Sequence, residues 1–106
     1  MKASEIAKRD KFILKTLKQY NSKENCILAE DLTKLVKNAG FEITLHSLRA
    51  RVQDLAFENW LPICHCKQGY YWATKREDIE ACVRGIEATI QGLEKRLRHL
   101  KSFLPE

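Results

Sequence analysis

The stretch Ile43–Trp72, ITLHSLRARVQDLAFENWLPICHCKQGYYW, decides how the chain folds. Leu48, Val52 and Leu55 recur at i, i+4 and i+7, one apolar stripe of a helix over about residues 45–58. Thr44 stands just before it, where a hydroxyl can accept an amide proton of the first turn. Asn59 is the expected stop, because Asn tolerates the left-handed conformation of a C-terminal cap. Ile63 to Cys66 then alternates as a strand, Lys67-Gln68-Gly69 turns, and Tyr70-Tyr71-Trp72 returns with strong β formers.

A helix followed at once by a hairpin resembles a known module. Thr44-x3-Leu48-x3-Val52-x2-Leu55-x3-Asn59, then Pro62-Ile63 and Gly69-Tyr70, is similar to the winged helix of the biotin-operon-repressor type. It also resembles small phage and prophage proteins whose wing ends in a Gly-Tyr pair. The resemblance runs from about residue 10 to residue 75. It implies a recognition helix at 45–58 and a wing at 63–72. The chain departs from the pattern in two places: Lys37 to Ile43 carries about five extra residues, and Leu28 stands near the usual polar start of the second helix.

The expected fold is therefore mainly α with a small β-hairpin (α+β), a winged helix-turn-helix with a long C-terminal coiled-coil helix. Residues 1–74 are read as the winged-helix domain and residues 75–106 as a self-association helix. Upstream, Ser4 can cap a helix to about Tyr20, with Ile6, Ile13, Leu17 and Tyr20 on one side. Cys26-Ile27-Leu28 can add a short strand beside the wing. Ala29 to about Asn38 reads as a helix with Leu32, Leu35 and Val36 inward, stopped at Ala39-Gly40.

The last helix has the clearest period. Ile79, Val83, Ile86, Ile90, Leu93, Leu97, Leu100 and Leu104 are spaced 4, 3, 4, 3, 4, 3, 4, an a/d seam of aliphatic residues. A helix packed only on a small core shows a wider stripe, so this one is expected to join two copies in a homodimer. Thr74 and Glu77 form a capping-box pattern ahead of it, and Pro105 closes it. Gly85 and Gly92 lie off the seam and weaken the isolated helix by about 1 kcal/mol each.

The charge of +5 is uneven: residues 1–23 hold seven Lys/Arg against two acids, and the remainder balances. Lys8, Lys11, Lys15 and Lys18 make a stripe that suits DNA phosphates and equally suits a solvated helix face. On the helix at 45–58 the outward arc holds His46, Ala50, Gln53 and Phe57, flanked by Ser47 and Arg49. Arg pairs with guanine edges and Gln with adenine edges. The expected partner is double-stranded DNA, with Thr44, His46, Ser47, Arg49 and Gln53 toward bases and Lys67, Gln68, Lys8, Lys11 and Lys15 toward the backbone. Arg51 lies nearer the buried side. Phe57, Trp60 and Trp72 are expected in the core or at its rim, and one of the two sets Tyr70/Trp72 and Tyr71 should face inward.

Several classes are read out. There is no Gly-rich phosphate loop, zincin motif or nucleophile elbow, so no enzyme, cofactor or small-molecule substrate is expected. No run reaches the roughly 18 apolar residues of a membrane span, and the first residues lack a secretory apolar core. Four cysteines without a framework fit a reducing cytoplasm better than a disulfide scaffold; the resemblance implies a bacterial cytoplasm, that of a phage-infected host included. Cys64 and Cys66 share a strand face while His65 points away, so the three cannot close on one zinc; any metal needs Cys26 or Cys82 besides. The competing role is a protein-interaction adaptor built on the same fold.

Overall fold

The computed structural model describes residues 2–105. Its elements are α1 (Ala3–Leu17), α2 (Ala29–Asn38), α3 (Leu45–Asn59), β1 (Ile63–Cys66), β2 (Gly69–Trp72) and α4 (Arg76–Lys101). The fold is mainly helical with one small antiparallel hairpin, as the sequence implied.

The three leading helices surround one apolar cluster. Ile13 and Leu17 of α1, Leu32 and Val36 of α2, and Leu48 of α3 are fully buried, with Val52, Leu55 and Ile43 nearly so. These are the helical-period positions, and their burial supplies most of the cohesion at roughly 25 cal/mol per Å² of apolar surface. The hairpin closes the cluster: Ile63 pairs with Trp72 and Cys66 with Gly69. Ile27 joins it as a one-residue bridge, its amide donating to the Tyr70 carbonyl at 2.9 Å and its carbonyl accepting from the Tyr70 amide at 2.7 Å. The expected three-residue strand is thus one residue long.

Both faces of β2 are covered, where one was expected to be. Tyr70 enters the main cluster, while Tyr71 enters a second one with Cys64 and Ala73, against which Cys26, Cys66 and Cys82 pack. The start of α4 makes this second face apolar, and the buried Tyr71 hydroxyl donates to the Asp78 carbonyl at 3.1 Å.

Several boundaries differ from expectation, each for a local reason. Helix α1 begins at Ala3, because the Lys2 carbonyl accepts from the Glu5 and Ile6 amides; Ser4 is inside the first turn and caps nothing. It ends at Leu17, short of Tyr20, whose carbonyl instead accepts from the Trp72 amide at 2.7 Å. Leu35, expected inward, is 39% exposed and not part of the buried core. Asn59 stays helical, its side-chain amide donating to the Leu55 carbonyl, and Trp60 takes the left-handed place at φ 52°. The Leu61 amide then reaches the Ala56 carbonyl, closing the helix end. That geometry turns the Trp60 side chain outward, 93% exposed, and Phe57 is also exposed, so neither belongs to the core. Thr74 does not cap α4: its hydroxyl donates to the Asn21 carbonyl, and Lys75 holds the N-cap position.

Helix α4 is tied to the rest through its first turns, where the buried Asp78 carboxylate accepts from the Lys23 amide at 3.4 Å. From Val83 onward every described residue is exposed. The helix ends at Lys101, so Leu104, expected as the last seam residue, lies beyond it in the turn before Pro105. The seam from Ile79 to Leu100 is bare, 43–57% exposed. Among the described residues no helix is long and apolar enough to cross a membrane.

Candidate nucleic-acid interface

Helix α3 lies with its polar arc open. Its start is fixed by Thr44, whose Oγ1 accepts from the Ser47 amide at 3.1 Å and donates to the Ser47 hydroxyl at 3.0 Å. The two hydroxyls therefore hold each other at the exposed first turn. Along the outward side of the helix His46, Ala50 and Gln53 are exposed. The six-residue connection Ala39–Thr44 accommodates the extra length in this loop. Gly40, at φ +96°, turns the chain out of α2, and Phe41 packs on Phe12 at 6.0 Å between ring centroids.

The two arginines of α3 differ sharply. Arg51 faces α1: its Nε bonds both Asp10 oxygens at 3.2 Å and its Nη2 reaches Asp10 at 2.8 Å, with Glu58 at 3.6 Å. The hydrogen bonds it donates to Asp10 hold its guanidinium pKa above the ordinary value against the opposing effect of burial. This clamp sets the angle of α3 on α1, so Arg51 is a positioning residue. Arg49 lies on the other flank in an open ion pair with Glu30 of α2 at 3.0 Å, both side chains about half exposed.

The arc itself is not basic, since Asp54 and Glu58 accompany Arg49 on α3. Positive charge comes from outside it. Lys67 and Gln68 are exposed at the hairpin tip. Lys37, at the end of α2, lines an open cleft with Arg9, Phe41, Thr44 and Ser47 beside the start of α3. Its placement was not expected: in the sequence it marks only the start of the over-long connection to Ile43, and only the path of that loop brings it to Thr44. The lysines of α1 stand elsewhere. Arg9 and Asp10 mark the side of α1 toward α3, while Lys8, Lys11 and Lys15 fall on the opposite side at ~100° per residue. Lys18 sits over the Trp72 ring at 5.2 Å. The structure therefore sets His46 and Gln53 on the outward face of α3, with Ser47 and Arg49 on its two flanks and Thr44 at its N-cap, and keeps Lys8, Lys11 and Lys15 away from it.

The cysteines meet behind the hairpin, away from that face. Burial pushes the Cys64 thiol up to about 12, with Cys82 beside it adding to the shift, and burial likewise raises Cys26, next to Cys66. Tyr70 and Tyr71 are shifted upward by burial too. These groups are neutral packing elements at ordinary pH. Among the described residues no group of three or more His, Cys, Asp or Glu side chains is placed to hold a metal ion. No family model matches the chain, and neither a curated protein nor a solved structure does so.

Proposed function

We propose that this chain is a winged-helix protein that binds double-stranded DNA as a dimer, inserting α3 into the major groove. The observation that carries the reading is the open arc of α3: a capped helix, fixed on its inner side by the Arg51–Asp10 clamp, with His46 and Gln53 exposed, Ser47 exposed at the edge of the cleft, and Arg49 half exposed in its ion pair with Glu30 of α2. Residues near the start of such a helix reach base edges. Arg49 is the reader of guanine and Gln53 of adenine. Lys37 and Lys67 supply backbone contacts on either side of the arc. Lys8, Lys11 and Lys15 contribute to approach through the general positive field rather than through the same contact. The resemblance to phage and prophage proteins supports a role in transcriptional regulation or as a replication accessory factor.

The test is binding to a pool of duplex DNA across a range of salt. Affinity should fall steeply with salt, and Arg49→Ala should cost about 1–3 kcal/mol on selected sites while sparing the fold. Equal affinity of wild type and Arg49→Ala for a selected site removes the assignment of α3 as the reader.

A second reading, a protein-interaction adaptor, draws on one observation. Phe57 and Trp60 are exposed together at the far end of α3 beside Asp54 and Glu58. Aromatics in such a place are frequent anchors of protein interfaces. Under that reading Trp60→Ala abolishes partner capture, and duplex DNA is retained only at very low salt.

A further inference from the structure

Resting on the dimer reading above, we infer that a second copy of this chain pairs with α4 running in the opposite direction. Among the described residues nothing covers the seam, whose members from Ile79 to Leu100 are 43–57% exposed. Two features of α4 fit such a pairing, and the second selects its direction.

The first is spacing. Within the helix, from Val83 to Leu100, the intervals 3, 4, 3, 4, 3 read the same from either end. An antiparallel copy therefore sets Val83 against Leu100, Ile86 against Leu97 and Ile90 against Leu93, and each layer occurs twice about the two-fold axis.

The second is charge. Residues 76–88 carry four acids against two bases, whereas residues 89–101 carry four bases against one acid. Antiparallel pairing lays the acidic half on the basic half, and parallel pairing lays each on its like. At the seam's edges the difference is specific. In the antiparallel register Glu80 flanks Lys101 of the second copy. In a parallel register Arg96 stands beside Lys101 of the second copy, a repulsion between two cations. The antiparallel register has one cost, because Glu87 comes near Glu94 of the second copy.

That cost provides a test in which the two directions differ in sign. The full chain, Glu94→Lys and Lys101→Glu are compared by sedimentation equilibrium, with helix content checked by circular dichroism. In the antiparallel dimer Glu94→Lys turns two repulsions into attractions and tightens dimerisation about tenfold, while Lys101→Glu loosens it about tenfold. In a parallel dimer Glu94→Lys adds cations to an already basic end and loosens it, while Lys101→Glu gains Arg96 and tightens it. Those reversed signs overturn the direction and leave the dimer standing. A dimer unmoved by either change overturns the register. A wild-type chain that stays monomeric overturns the dimer reading itself.

Discussion

Replacing Gly69 with alanine should cost far more than a turn glycine usually does. A Cβ at this position would lie 2.1 Å from the Ile27 carbonyl oxygen, 2.4 Å from its carbon and 2.8 Å from the Leu28 nitrogen. All three are backbone atoms, so no rotamer change relieves the clash. The Ile27 segment must move away, and its two hydrogen bonds with Tyr70, at 2.7 and 2.9 Å, are lost. Each bond contributes a net of roughly 1 kcal/mol. Holding a side chain at φ +126° adds about 1–3 kcal/mol. The sum is about 3–5 kcal/mol, a large part of the roughly 5–15 kcal/mol available to a small domain. Thermal unfolding at fixed protein concentration reads it as a fall of well over 10 °C, taking ~4–8 °C per kcal/mol. Gly40→Ala is the control: it shares a positive φ of +96°, but a Cβ there meets nothing within 4 Å. It should cost only the backbone strain, about 1–2 kcal/mol. If the two variants unfold together, the close approach of Ile27 to the hairpin plays no part in stability.

Other changes read other links. Asp10→Ala removes three hydrogen bonds to Arg51 and should destabilise by about 1–3 kcal/mol, measured in urea, with Arg51→Ala non-additive to it. Gly85→Ala and Gly92→Ala meet open space on α4 and should each raise stability by about 1 kcal/mol; a loss would mean the face is occupied. Leu93→Asp should give monomers in light scattering, and an unchanged mass removes the seam as the dimer contact. The Cys64 thiol is held at about 12 in the fold against an ordinary value of 9.0, so folding favours its neutral form. That stabilisation is complete below about pH 8.5 and is lost as pH rises toward 12, with Tyr70 and Tyr71 acting in the same direction. The denaturation midpoint should therefore fall above pH 9, and a flat profile to pH 11 would contradict the buried cluster.

The helices were legible because their apolar periods are strong. Leu48, Val52 and Leu55 named the inner face of α3, and all three are buried. Thr44 named its start, and it caps. What misled were residues whose local preference lost to a distant partner. Thr74 has the chemistry of a cap but gives its hydroxyl to Asn21, fifty-three positions away in the chain. Tyr20 fits the helical period but surrenders its carbonyl to Trp72. The candidate site was legible as a helix face and less so as a surface. The tie of Ser47 to Thr44 is local to the cap, but the pairing of Arg49 with Glu30 and the arrival of Lys37 depend on how α2 meets α3. A single period cannot report that, since it describes one element at a time.

The two apolar systems of this chain answer different demands. The cluster around Leu32, Val36 and Leu48 is closed within one copy, so each head holds its own α3 in place. Among the described residues of that copy nothing closes the seam of α4. Between them lies a short, firm joint: Asp78 is buried, takes the Lys23 amide on its carboxylate and the Tyr71 hydroxyl on its carbonyl. Both partners of Asp78 belong to the head, so α4 leaves it in a fixed direction instead of hanging from a linker. In the proposed dimer, the distance and orientation between two α3 faces are then set by α4 and by this joint, not by contacts between the heads. An antiparallel pairing centred between Ile90 and Leu93 puts the two joints ~40 Å apart, taking ~1.5 Å per residue. That span is somewhat longer than the ~34–36 Å of one DNA turn. The joint's geometry, more than any single base contact, would therefore decide which half-site spacings both helices can serve at once.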